Sequence, residues 1–300
     1  MTLTATVVGN DPETVEGEGV AEVYREQLER AYQEGMQDIH SLPWGDAKTE
    51  TLNPSEEVPR VMEIRTGSVP KKRDGSKVKA LLVTGVVNAP LANVLKYLGH
   101  NGEIKRDATR KGPLSYRHTI TSSSSSDTDP NTGAAISTHF CLTHYEAADF
   151  TRLAAQRDFV VARRAVMAEE RASLVYTSVE HDDYPPQEGF VRGNIYKQVY
   201  TLEAVGPGAV RVVYLSHMGF GGRVPRLLMP KVLHRTALNV IEAFRRLEAR
   251  WTKKQAKACR AASLAAGAPP TSARQVGAVM SPSAEDTDDI SNMSVPCSPT

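Results

Sequence analysis

Apolar residues between 225 and 251 recur in steps of three and four: Leu233, Ala237, Val240, Ile241, Phe244, Leu247 and Trp251. That spacing lays one apolar stripe along a long helix, while Arg235, Asn239, Glu242, Arg245 and Arg246 fall mostly elsewhere on the wheel. Such a helix cannot bury its stripe alone and needs a broad apolar surface to lie on. The chain just before it can supply one. Residues 210–217 are a β-branched run, broken by glycines at 219–222 ahead of Pro225, a residue favoured at the start of a helix.

The same pattern, read from the start, predicts a helix over 20–39 with Val23, Leu28, Ala31, Tyr32 and Met36 among its apolar positions. Pro43 stops it, and Trp44 is expected to find the core. Residues 49–59 read as a loop or irregular edge. Strands are expected at 61–69 and 77–87, flanking a basic turn with Asp74-Gly75. A short helix follows at 90–98, with Asn88 as its expected N-cap. Strands at 115–121 and 136–145 flank a serine-rich polar stretch, 122–133, which reads as a mobile loop. Further pairs are expected at 158–167 with 173–179, and at 190–204 with 210–217; Pro185-Pro186 makes 181–188 an extended loop. About nine strands in sequential hairpins, bracketed by helices and without strand–helix–strand alternation, predict an α+β protein built on an antiparallel sheet.

Composition changes this picture mainly at the ends. The 300-residue chain is nearly neutral, at +1, but Asp11, Glu13, Glu16 and Glu18 open it, and Glu285, Asp286, Asp288 and Asp289 lie near its close. Between them 36 basic residues face 27 acidic ones, a surplus of nine compatible with anionic partners, including acidic membrane surfaces. Residues 1–19 are expected to be disordered, 20–254 to fold as one domain, and 255–300, rich in Ala, Ser and Pro, to be a disordered tail. Ser281-Pro282 and Ser298-Pro299 are candidate phosphorylation sites in it. Cys141, Cys259 and Cys297 are too few and scattered for a disulfide framework or zinc site, which favours a reducing compartment. No secretory signal and no membrane-spanning run is visible, so a soluble, cytoplasmic protein is expected.

Three segments carry a resemblance. Arg157-Asp158-Phe159-Val160-Val161-Ala162-Arg163 resembles the RDFVxxR strand of START domains, the lipid-transfer modules related to steroidogenic acute regulatory protein. The segment from Pro185 to Arg192 is similar to their PPxxGYVR stretch, and the one from Gly222 to Arg226 to their GxxPK junction. The resemblance implies a helix-grip fold, in which a curved antiparallel sheet holds the long C-terminal helix over a tunnel for one lipid. It also implies that the turn at 168–172 is an entrance loop. The lining expected on this basis takes Phe159, Val161 and Arg163 from one strand face, since side chains alternate. The family's tunnel arginine falls at Arg163, and counting back along the preceding strand puts His144 where some relatives carry its acidic partner. Arg192 matches a family position too, with a structural role on the 185–186 loop as the alternative. Tyr214 and Phe220 complete the sheet side; Leu233, Ala237, Val240, Ile241 and Phe244 supply the helix side. Gly219 stands where many relatives have an Asp, which predicts a pliable connection, and Pro230 predicts a helix that starts late or bends.

The ligand implied is a sterol, phospholipid, ceramide or fatty acid, carried by a monomer that touches membranes transiently and peripherally. No catalytic motif is visible: there is no GxSxG elbow, P-loop, dinucleotide glycine pattern or HExxH, so neither an enzyme nor a cofactor is expected. His118, His139 and His144 do not converge as metal ligands. Basic residues without aromatic interleaving give no nucleic-acid signature. The alternative to a carrier is a module that senses lipid without moving it.

Overall fold

The computed structural model describes residues 19, 21–52, 60–70, 77–99, 114–129, 133–147, 156–222 and 228–265. The Asp74-Gly75 turn, the Ser-Pro pairs and both acidic ends lie outside them. Helix α1 (Arg25–Ser41) precedes strands β1 (Lys48–Thr51), β2 (Val61–Pro70) and β3 (Lys77–Val87), then helix α2 (Leu91–Gly99). Strands β4 (Leu114–Thr128), β5 (Ala135–Ala147), β6 (Gln156–Met167), β7 (Arg171–Ser178), β8 (Phe190–Arg192), β9 (Asn194–Gly206) and β10 (Ala209–Gly219) follow, and helix α3 (Met229–Ala265) closes the described chain.

The strands form one sheet in the order β1-β2-β3-β10-β9-β7-β6-β5-β4, with β8 pairing beside β6. Hairpin neighbours pair antiparallel, as the run of sequential strands predicts. Other pairings depart from chain order: β10 lies antiparallel to β3, for example Tyr214 beside Val83, and β8 lies parallel to β6. This is the antiparallel sheet and C-terminal helix of a helix grip.

Three expectations change. The serine-rich stretch is not a loop, because β4 runs through it and Ser122–Ser126 pair with Cys141–Ser137 of β5. Ladder hydrogen bonds come from the backbone and do not require apolar side chains; on an edge strand, serines keep the outer side polar. The run 190–204 is split at Gly193, where a side chain would place its Cβ 2.2 Å from the Phe159 ring. Only glycine lets that ring lie against the backbone. Helix α3 continues to Ala265, eleven residues past the expected end of the domain. Those residues, QAKACRAASLA, are rich in Ala, the strongest helix former. Pro230 falls in the first turn, where a missing N–H costs nothing. The connection before it uses φ of +62° at Gly221 and +55° at Gly222, and the Arg157 Nε donates to the Phe220 carbonyl at 3.0 Å.

The chain divides into two units, 1–248 and 249–300. In the first, α1 lies on one sheet face, where Leu28 and Ala31 pack with Leu142, Val160, Ala162, Val175, Val199 and Leu215. Each such large side chain stabilises the fold by about 1.5–3 kcal/mol. Trp44 packs against the same cluster, as expected. The ends of α1 are tied by ions: buried Lys197 meets Asp38 at 2.7 Å and Glu34 at 3.4 Å, and Arg164 meets Glu29. The inward residues of α3 are buried, with Ala237, Ile241 and Phe244 at 0% exposure and Leu233 at 3%. Glu248 anchors this helix by pairing with Arg60 and accepting the Asn88 backbone N–H. Asn88 is not the cap of α2, since Pro90 precedes its first residue and accepts the Val94 N–H at 3.1 Å. In the second unit, the described residues are the last turns of α3.

Candidate functional site

Strand β6 assigns the faces. Val160, Ala162 and Arg164 point to α1, so Phe159, Val161, Arg163 and Ala165 point the other way. Their cross-strand partners share that face: Tyr145, Thr143, Cys141 and His139 on β5, then Ser178, Tyr176 and Leu174 on β7. Phe159, Val161 and Ile195 form a buried cluster here, with Tyr145, Tyr176 and Met218 against it.

Further along the same face, beneath α2, lies a cavity of about 700 Å³. Leu91 and Leu95 of α2, Ala165 and Met167 of β6, and Leu174 of β7 give it apolar walls. Arg163 and His139 add polar ones, as do Ser122 and Ser124 of β4. Ser124 Oγ bonds His139 Nδ1 at 2.6 Å. Ala92, Lys96, Ser124 and Glu169 are exposed as well as lining, so they mark its mouth. Ala168 and Glu169 belong to the turn expected as an entrance loop.

Arg163 is 6% exposed, and its side chain bonds the Tyr176 hydroxyl. Burying a guanidinium is costly without such partners. Tyr176 belongs to a set of four tyrosines, with Tyr145 half-buried like itself and Tyr200 and Tyr214 buried; the Tyr200 and Tyr214 rings lie 4.5 Å apart. Burial pushes all four phenols up, Tyr214 to about 12, while Arg163 pulls Tyr176 the other way. The phenols therefore stay neutral at physiological pH and offer O–H groups. Gln198 donates to the Tyr214 hydroxyl. Next to this set, Cys141 Sγ and Thr143 Oγ1 are 3.1 Å apart.

The expected site residues divide into three groups. Phe159, Val161, Arg163 and Tyr214 share the inner face, and Arg163 lines the cavity. Leu233, Ala237, Ile241 and Phe244 are buried and Val240 half-buried, but no described residue of α3 lines this cavity, which lies under α2. Phe220 is buried and serves as an acceptor for Arg157.

His144 and Arg192 lie on the other side of the sheet. His144 pairs with Val160 in the register, whereas Arg163 pairs with Cys141, so His144 cannot be the partner of Arg163. Its Nε2 lies 3.4 Å from buried Asp158. Burial holds the His144 imidazole below its usual pKa, with Asp158 acting in the opposite direction. Arg192 grips Asp158 with two nitrogens at 2.8–3.1 Å and donates to the Tyr184 and Pro185 carbonyls, both at 3.0 Å. This is the structural alternative: Arg192 ties down the proline loop. Leu91, Leu95, Ala165 and Leu174 are lining residues that the pattern reading missed. Their signal was available, in the i,i+4 leucines of the short helix and the continued alternation of β6.

Comparison with known proteins meets this geometry at the same strands. A family model described as START domain matches residues 123–254, which include β5 to β10 and most of α3. Over those residues the chain is similar to START domains. Among solved structures, human StAR-related lipid transfer protein 5 aligns with a TM-score of 0.55 at 16% identity, covering 77% of this chain and 99% of that one. Human STARD10 aligns with a TM-score of 0.50 at 13% identity, covering 75% and 82%. At these identities the likeness is one of fold. No curated protein matches the chain significantly. The chain thus has the fold of START domains, and the described residues contain neither a helix long and apolar enough to cross a membrane nor a cluster suited to a metal ion.

Proposed function

We propose that the protein binds one lipid inside its START-like domain, in the cavity beneath α2, and carries it between membranes. The observation behind this reading is the cavity: about 700 Å³, apolar on three elements, with the buried cation Arg163 in its wall. That volume is typical of small-ligand sites. Burying an 18-carbon chain gains about 14 kcal/mol gross, less the cost of ordering it and of association. Apolar walls thus supply affinity, while Arg163 and the neighbouring phenols meet ligand oxygens. The names of the aligned human protein and of the family point the same way. On this reading the protein is a cytoplasmic monomer that touches bilayers peripherally.

The test is transfer of a fluorescent lipid between donor and acceptor vesicles by the wild type and by Ala165→Trp, which places an indole in the cavity. The wild type should accelerate exchange and the variant should not. Binding without faster exchange would make the protein a sensor instead, and equal activity of the two proteins would place the lipid elsewhere.

A further inference from the structure

In the second unit, helix α3 changes character. Earlier on the helix there are acids to balance charge: Glu242 pairs with Arg245 and Arg246, and Glu248 with Arg60 ahead of β2. From residue 249 to 284 the sequence contains no Asp or Glu. Beyond that boundary Lys253, Lys257 and Arg260 follow one another at steps of four and three, all exposed. The spacing puts three cations on one helix face, along about 10 Å of axis. Like charges at i,i+3 and i,i+4 repel by a few tenths of a kcal/mol per pair, so this stripe opposes the helix that carries it until an anionic surface meets it. Lys257 and Arg260 also lie beyond the START match, which ends at 254.

We infer that this basic stripe is a docking surface for bilayers rich in anionic lipid. A straight line of long, flexible cations matches a plane of negative head groups, and each contributes on the order of 1 kcal/mol near such a surface. Base stacking on nucleic acid calls for aromatic side chains between the cations, and on this face there are none. The inference rests on the proposed carrier role only in that a carrier must visit membranes. The stripe residues do not line the cavity, so docking and lipid uptake are separable.

The experiment uses the full chain and co-sedimentation with phosphatidylcholine vesicles, with and without phosphatidylserine. The wild type should bind only the phosphatidylserine vesicles, and salt should release it. Lys253→Gln/Lys257→Gln/Arg260→Gln should bind them about a hundredfold more weakly. Circular dichroism checks that the helix persists, and uptake of fluorescent lipid delivered in solution, without vesicles, should be unchanged. Failure of that uptake in both proteins would count against the carrier role, while charge-dependent sedimentation would still support docking. Docking itself is overturned if the triple variant sediments as the wild type does. It is equally overturned if the wild type ignores both vesicles but binds an RNA oligonucleotide through these residues.

Discussion

The two faces of β6 are made from adjacent residues and do opposite work. Toward α1, Val160 and Ala162 sit in a close-packed cluster, and at its margin Asp158 holds Arg192 and His144 together. Away from α1, Arg163 and Ala165 border open volume, with phenol hydroxyls nearby. One strand thus carries a structural ion network on one side and part of a cavity wall on the other. The lesson is that residues of one motif, Arg157 to Arg163, divide by parity: alternate positions pack toward α1 while the rest face the other way, where Phe159 and Val161 pack in a buried cluster and Arg163 lines the cavity.

The comparison is most severely strained at Asp158. Asp158→Ala should destabilise the fold by about 3–5 kcal/mol in chemical denaturation, because it leaves Arg192 and His144 without their buried anion. Lipid binding should fall only in proportion to unfolding. A smaller loss is expected from a matched pair of insertions. Ala162→Trp forces an indole into the α1 cluster and should cost about 3 kcal/mol or more, whereas Ala165→Trp enters existing space and should cost far less while blocking the ligand. Equal destabilisation by the two would erase the distinction between the faces.

The smallest effect is a pH dependence. His144 has its folded pKa depressed by burial, so the unfolded state binds its proton more readily. Stability from this group is complete above the ordinary histidine value of about 6.5 and falls as pH drops from there toward the folded value. The groups facing it are Asp158, Glu146, Arg192 and Tyr184. His144→Gln should flatten the denaturation midpoint between neutral and mildly acidic pH, relative to wild type.

Much of this architecture was legible in residue pattern alone. The stripe from Leu233 to Leu247, the alternation of β2 and the apolar runs of β3, β6 and β10 report burial directly, so helices and hairpins follow from them. The Ser122–Ser126 strand was not legible, since its pairing rests on backbone groups that composition does not reveal. The position counted back from Arg163 falls on the wrong face for a related reason. His144 lies three residues along from Cys141, and an odd offset in a ladder turns a side chain to the opposite face. The cavity was expected beneath α3, whose stripe is long and conspicuous. It lies instead beneath α2, because a gap depends on how far two elements stand apart, which periodicity does not encode.

The central claim is that the volume beneath α2 holds a lipid. Native mass spectrometry of the protein purified from cells tests this most directly, with Ala165→Trp alongside. One lipid mass per wild-type chain, absent from the folded variant, is the predicted result. A wild-type protein that carries no lipid, and takes none up when incubated with a sterol, phospholipid, ceramide or fatty acid, would contradict it.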